Sequence, residues 1–255
     1  LNIKVLVATH KDYKMPKDEI YLPVFVGNAL HPENNPGFQG DDDGENISLK
    51  NKNYNELTAI YWAWKNLDAD VIGLVHYRRY LGTARKKDFS SILDAKEIES
   101  FFNQGYDVIV PKKRDYLIES NYSHYVNSHE KEPMDELERV IRQDYPEYMD
   151  SYKYVMENHK AHMFNMFIMK KENFNRYCKW MFNILSIIED NIDISNYNSY
   201  EKRVYGFLSE LMLDIWLTKE QLHVKEVNFI YMENEHLVKK GFNLVGRKLK
   251  GAFKS

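Results

Sequence analysis

Apolar positions along the chain follow two rhythms. Short β-branched runs alternate with longer stretches in which large side chains return every three or four residues. Residues 3–9, Ile-Lys-Val-Leu-Val-Ala-Thr, read as a buried strand that ends at the polar pair His10-Lys11. Residues 12–50 show no period. They hold Pro16, Pro23, Pro32, Pro36 and the run Gly40-Asp41-Asp42-Asp43-Gly44-Glu45-Asn46, and are expected to form a long functional or mobile loop. A helix is then predicted with Asn53 as N-cap and Glu56 completing a capping box. Leu57, Ile60, Tyr61, Trp64 and Leu67 give it one buried face. Val71–Val75 predicts a second strand, 91–102 a helix and 106–111 a third strand stopped by Pro111. The order strand, helix, strand, helix, strand predicts an α/β fold: a parallel or mixed sheet with covering helices.

Beyond residue 132 the helical period dominates. Pro133 suits a first helical turn, and Met134, Leu137, Val140 and Ile141 give that helix its apolar face. A second helical stretch passes through Tyr148, Tyr152 and Val155. Residues 163–169 read as a strand with a polar break at Asn165. Phe174, Tyr177, Cys178, Met181, Phe182, Leu185 and Ile188 mark the strongest helix, Val204 to Ile215 another, and 224–232 a last strand. The expected whole is a mixed sheet with a helical C-terminal half, in one domain over residues 1–236. The remainder, 237–255, interleaves Lys239, Lys240, Arg247, Lys248, Lys250 and Lys254 with Phe242, Leu244, Val245, Leu249 and Phe253. No acid follows Glu235. This tail reads either as a frayed terminus or as a basic amphipathic segment suited to anionic lipid.

Composition removes several function classes. With 35 Lys+Arg against 38 Asp+Glu the formal charge is −3, which gives no support to a nucleic-acid partner. A single cysteine excludes an internal disulfide framework and any multi-Cys metal site. No apolar run approaches the ~20 residues of a membrane span, and the opening Leu1-Asn2-Ile3-Lys4-Val5 lacks a signal-peptide layout, so a soluble cytoplasmic protein is expected. No Gly-rich phosphate loop follows the first strand.

The most unusual chemistry is His76-Tyr77-Arg78-Arg79-Tyr80 at the end of a hydrophobic strand. Ligands of open α/β sheets collect at the carboxyl ends of strands. Extended geometry would send His76, Arg78 and Tyr80 one way and Tyr77 and Arg79 the other. Adjacent guanidiniums match phosphate oxygens in bidentate fashion, so a diphosphate suits this place. Pairing with internal carboxylates is the competing reading. Asp41 and Asp43 could hold Mg²⁺ or Mn²⁺, against the simpler reading of a solvated turn. His124, His129 and Asp135 are candidate general bases beside exposed-loop alternatives. Cys178, on a buried stripe, reads as core, and Arg203 with Glu210, seven apart on a helix, as a structural ion pair.

Several of these stretches occur together in a known group. Ala8-Thr9-His10-Lys11, Asp42 to Ser48, Asn51, Asn53 and Tyr54, Glu56-Leu57-Thr58, Tyr61 to Asn66, Gly73 to Tyr80, Asn165 to Met169 and Arg203 to Glu210 spread in order over most of residues 3–217. In these the chain resembles a bacterial glycosyltransferase family of capsular and O-antigen polysaccharide synthesis that includes galactofuranosyltransferases. The resemblance implies a GT-A-like, Rossmann-type sheet and a UDP-sugar donor. It implies transfer of a sugar, galactofuranose or galactose, to a lipid-linked oligosaccharide by an inverting displacement at the inner face of the membrane. The Asp-x-Asp metal motif usual in GT-A enzymes is missing, since His76-Tyr77-Arg78-Arg79-Tyr80 stands in its place. Arg78 and Arg79 are therefore expected to neutralise the leaving diphosphate. His10, Lys11, Asn46, Asn53, His76, Tyr80 and Asn165 are expected around the donor, with Asp135 or His129 as base. A non-catalytic nucleotide-sugar or glycan-binding module is the alternative.

If the basic tail rests on lipid, deleting residues 238–255 will lower sedimentation with anionic liposomes and leave turnover of a short soluble acceptor unchanged. Unaltered liposome binding would remove the membrane reading.

Overall fold

The computed structural model describes residues 1–84 and 86–232. The tail 237–255 and the last residues of the predicted domain lie outside that set.

Ten strands and eight α-helices follow one another among the described residues. The chain starts with β1 (Ile3–Thr9), β2 (Tyr21–Phe25) and β3 (Gln39–Gly40), then α1 (Asn51–Tyr54), α2 (Leu57–Asn66), β4 (Val71–His76) and β5 (Arg79–Gly82). Next come α3 (Ala95–Asn103), β6 (Val108–Pro111), β7 (Arg114–Asp115), α4 (Asn121–Ser128), α5 (Glu132–Asp144) and α6 (Met149–Glu157). The last are β8 (Lys160–Ala161), β9 (Phe167–Lys170), α7 (Lys171–Asn191), α8 (Val204–Glu220) and β10 (Val224–Tyr231). Eight strands form one mixed sheet in the order β3-β2-β1-β4-β5-β10-β6-β9, with β9 also pairing β4, while β7 and β8 make a separate ribbon. The strands β1, β2 and β4 run parallel, and β9 is antiparallel to β4 and β6.

Side-chain alternation explains why the central strands are apolar throughout. Leu6 and Ala8 of β1, Ile72 and Leu74 of β4, and Val108 and Val110 of β6 pack into one core with α2 and α5–α8. Their neighbours Val5, Val7, Val71, Val75 and Ile109 face the other way, onto Ile98 and Phe102 of α3. Strands covered on both faces leave little room for polar side chains, and in β1 only Lys4, near its start, and Thr9, at its end, are polar. Cys178 is fully buried among the α7 residues, as the helical spacing predicts, and burial pushes its thiol pKa well up.

Three local expectations are corrected. Residues 12–50 are not uniformly irregular, because β2 pairs along β1. Pro23 is accommodated there because β3 covers only Val24 and Phe25. Asn53 caps nothing. It sits inside α1, Asn55 turns the chain at φ 51°, and α2 starts only at Leu57. A capping box occurs instead at Asp94 and Glu97, opening α3. Lastly, the strand expected over 163–169 starts only at Phe167, because Phe164 and Asn165 both adopt left-handed backbone, φ 69° and 54°.

The acidic loop is organised around Asp41, which is fully buried. One carboxylate oxygen accepts the Gly27 amide at 2.8 Å and the Thr58 hydroxyl; the other accepts the Asn28 amide at 3.0 Å and the Ser48 hydroxyl. Those four donors occupy the carboxylate's capacity. Asp43, by contrast, is exposed. The two side chains therefore do not assemble the Mg²⁺ or Mn²⁺ site considered from sequence; Asp41 is a loop anchor. Replacing Asp41 with Ala strands two amides and two hydroxyls, and should cost about 3 kcal/mol of unfolding free energy. Urea denaturation with and without EDTA will check this, and a loss that appears only without EDTA would restore the metal reading.

Candidate functional site

β4 ends at His76, and the chain reverses through Tyr77 and Arg78 into β5, so that His76 and Arg79 are cross-strand partners. This turn corrects the extended geometry expected for the five-residue run. Residues opposite one another in an antiparallel pair share a face, and here His76 and Arg79 both enter a cavity of about 960 Å³. Tyr80, the next residue on β5, points to the opposite side. It is fully buried, with its ring against Tyr21 and Phe89, and belongs to the core rather than the cavity.

The cavity lies at the carboxyl ends of β1 and β4. Ala8, Thr9 and His10 form one wall, and His76 to Arg79 the floor. Asn55 and Glu56 between α1 and α2, His124 and His129 at α4, and Arg203, Phe207 and Glu210 at α8 complete it. Its volume suits a drug-sized or nucleotide-sized ligand.

A left-handed turn holds the parts together. The His76 Nε2 lies 2.7 Å from the Phe164 carbonyl oxygen, so Nε2 carries the hydrogen. The Phe164 backbone amide faces Glu210 and favours its charged form. The Asn165 side-chain amide donates to Glu56 at 2.8 Å and to the Gly206 carbonyl of α8 at 3.2 Å. The Phe164 ring lies 4.4 Å from the Arg79 guanidinium. A phenylalanine at φ 69° is a strained position that persists only where its surroundings hold it.

The electrostatics are cationic where β1 and the hairpin meet. Arg79 is half-buried, its Nε has no hydrogen-bond partner, and no carboxylate forms an ion pair with it among the described residues. Burial first, and the adjacent Arg78 second, push its pKa down. The His10 pKa is lowered by burial, then by Lys11, Arg78 and Arg203. His76 is likewise lowered, by burial first, with Glu56 opposing. The carboxyl of Glu210 moves the other way. Burial first, and the neighbouring Glu56 carboxylate second, raise it to about 7 against the opposing pull of the Phe164 amide, Arg79 and Arg203.

Of the residues singled out from sequence, His10, His76, Arg78, Arg79 and His129 line the cavity. His129 pairs with Glu201 at 3.2 Å and stacks on Phe207 and Tyr200, and burial lowers its pKa despite Glu201. His124 stacks on Tyr116 and pairs with Glu119 at 2.7 Å.

The others are placed elsewhere. Asp135 is on the exposed side of α5, tied to Lys131 at 2.6 Å, and does not reach the cavity. Lys11 is exposed and lies over the Tyr13 and Tyr77 rings. Asn46 braces its own loop through the Asp42 and Gly44 carbonyls. Asn53 donates to the Lys202 carbonyl at 2.8 Å, tying α1 to the entry of α8. Asn165 is buried behind the wall. Arg203 and Glu210 do not pair with each other; both face the cavity. From sequence Glu56 was read as a capping-box residue and Glu210 as half of an ion pair with Arg203, because nothing in a helical period says that two carboxylates 154 positions apart will converge.

A family model described as "Domain of unknown function (DUF4422)" matches residues 4–221. The chain belongs to this family. No curated protein matches. Among solved structures, the chain is similar to the apo form of WbbM, a bifunctional glycosyltransferase, at 34% identity and a TM-score of 0.80 over 92% of this chain. The chain spans 46% of the WbbM chain, about half its length. The mixed α/β architecture of this DUF4422 member is thus shared with a glycosyltransferase structure. Among the described residues no helix is long and apolar enough to cross a membrane, and no group of three or more His, Cys, Asp or Glu could hold a metal ion.

At the cavity's far side His162 is buried between Asp214 at 2.6 Å and Glu226 at 3.3 Å. Burial works against its charge, but the two carboxylates prevail and raise its pKa, while His162 pulls Asp214 down against the same burial. A histidine raised in the folded state contributes stability that is fully present below its unfolded pKa, about 6.5, and is lost as pH rises through the folded value. His162→Gln should therefore cost more stability at pH 6 than at pH 9. Urea midpoints at the two values will show it, and an equal loss at both would contradict the ionised pair.

Proposed function

We propose that this protein is a glycosyltransferase. It moves a sugar, galactofuranose or galactose, from a UDP donor to a lipid-linked oligosaccharide in capsule or O-antigen polysaccharide synthesis. The observation that carries the reading is the hairpin tip. Arg78 and Arg79 enter a cavity of about 960 Å³ at the carboxyl ends of parallel strands, and Arg79 has no carboxylate partner among the described residues. A half-buried guanidinium without an internal anion is a site for an external one. The WbbM likeness over 92% of the chain supports the same class of chemistry.

In this reading the uracil and ribose lie along the end of β1 beside His10, within a GT-A-like frame. The diphosphate meets Arg78 and Arg79. Fixed positive charge there stabilises the negative charge that grows on the leaving diphosphate, which lowers the barrier rather than merely tightening binding. The arginines thus stand where GT-A enzymes usually bind a divalent cation through paired carboxylates, and turnover is expected to survive EDTA. The acceptor approaches from the side of His124 and His129, with inversion at the anomeric carbon. The basic tail would hold the protein at the inner face of the cytoplasmic membrane, where lipid-linked acceptors lie.

A thermal-shift panel of UDP-, GDP- and CDP-sugars, with Mn²⁺ and with EDTA, tests the donor class. UDP-galactose or UDP-galactofuranose should raise the melting temperature under both conditions and should be slowly hydrolysed to UDP. Arg79→Ala should lower that turnover by roughly 10²–10³-fold. Binding without any hydrolysis would favour a non-catalytic sugar-nucleotide module, and a panel with no shift at all would sink the reading.

A further inference from the structure

Displacement at a sugar needs a group that removes the acceptor's proton, and the histidines of α4, held through Nδ1, keep only Nε2 for that task. His129 has Nδ1 on Glu201 and its ring on Phe207, and His124 has Nδ1 on Glu119. Asp135 is outside the cavity. Three carboxylates line the cavity; Glu201 is taken up by His129 and the Glu130 amide, and the other two, Glu56 and Glu210, are drawn together from opposite ends of the sequence. They differ in what they already hold. Glu56 accepts the Asn165 side-chain amide at 2.8 Å, and Asn165 is itself locked to the Gly206 carbonyl. Glu210 is held by no comparable side-chain amide among the described residues; the Phe164 backbone amide faces it and favours its charged form.

We propose that Glu210 is the general base of the transfer and that Glu56 is its positioning partner, an inference that rests on the glycosyltransferase reading above. The step balances as follows. The acceptor hydroxyl gives its proton to a Glu210 carboxylate oxygen while its oxygen bonds to the anomeric carbon. The bond from that carbon to the diphosphate oxygen breaks, and its electron pair leaves with the diphosphate toward Arg78 and Arg79.

The surroundings fit this role. The groups facing Glu210 are Glu56 before α2, the Phe164 amide, Arg79 of β5 and Arg203 at the entry of α8, with Tyr116 and Tyr200 sensing its charge from the rim. Glu56 and burial make the ionised carboxylate a better proton acceptor than a solvated one; Arg79 and Arg203 oppose that rise and keep a charged fraction near neutral pH. An acid raised to about 7 is half-ionised near neutrality, where a base is most effective. The same shift has a structural consequence of known sign. Folding holds the proton on Glu210, so its stabilising contribution is present below pH 4.5 and is lost as pH rises through about 7. Ionised Glu210 is a strain on the fold that a neutral amide would relieve.

The test measures UDP release from UDP-galactose and UDP-galactofuranose with water as acceptor, donor binding by thermal shift, and the unliganded melting temperature. Glu210→Gln should lower UDP release by roughly 10²–10⁴-fold with donor affinity within threefold of wild type. At pH 8 it should also raise the unliganded melting temperature by about 2 °C or more. Glu56→Gln, which removes the like charge, should move the acid limb of the wild-type kcat/KM profile from near pH 7 to lower pH. Glu210→Asp should keep a measurable fraction of the rate. Turnover of Glu210→Gln within threefold of wild type, or an unshifted acid limb in Glu56→Gln, would overturn the assignment. A melting temperature that falls together with donor binding would make Glu210 a scaffold residue instead. If the wild-type protein neither binds nor hydrolyses either donor, the glycosyltransferase reading fails first and the base role with it.

Discussion

The site depends on one strained turn. Phe164 and Asn165 adopt left-handed backbone shortly before β9, and several of their polar groups are taken by different parts of the fold. The Phe164 carbonyl receives His76 from β4, its amide faces Glu210 of α8, and the Asn165 side chain bridges Glu56 and the Gly206 carbonyl. Three segments distant in sequence are thereby fixed at a few ångströms. Backbone strain of this kind costs on the order of 1–3 kcal/mol and survives only where the contacts around it over-determine the conformation. The turn also explains why Asn165 is buried while the cavity lies in front of it. Its side-chain amide holds Glu56, and it does not itself line the cavity.

Around Arg79 charge in the cavity is separated rather than paired. Arg78 and Arg79 stand on the hairpin, with Arg203 across from them, while Glu56 and Glu210 stay on the side of the turn. Arg79 feels both carboxylates at a distance without forming an ion pair. Such separation is costly in a half-buried space and would collapse into salt bridges if the side chains could move. The hairpin prevents this, because His76 and Arg79 are fixed opposite one another and Tyr77 and Tyr80 are anchored in the other core. Opposed charges held apart are what the donor and acceptor of the proposed transfer would fill.

Much of the frame was legible in the sequence and much of the site was not, for separable reasons. β1, β4 and α7 were readable because both-face burial leaves an uninterrupted apolar run, and one-face burial a clean helical period. β2 was hidden because Pro23 and the neighbouring turn residues mimic a loop. Only the tertiary edge beside β3 makes that proline tolerable. The arginine pair was visible as a costly feature at a strand end, yet the reversal after His76 was not, since Tyr77 and Arg78 carry no turn chemistry of the Gly or Asn kind. Asp41 read equally well as a metal ligand, because composition cannot distinguish a carboxylate that holds a cation from one that holds amides. Convergence of Glu56 with Glu210 lies wholly in tertiary structure.

The position of the hairpin shows how the sheet presents two guanidiniums to one cavity. A strand that continued straight would have split Arg78 and Arg79 between opposite faces. Reversing after His76 places Arg79 on the face of His76 and leaves Arg78 at the tip, so both reach the same cavity. Tyr80 then falls on the far face, where Tyr21 and Phe89 receive it, and the aromatic residues of the run become the anchor for its cations. The order of residue types in His76-Tyr77-Arg78-Arg79-Tyr80 is therefore a folding instruction as much as a chemical one. Exchanging an arginine for its neighbouring tyrosine would keep the composition and lose the site, because burial and charge would each fall on the wrong side of the sheet.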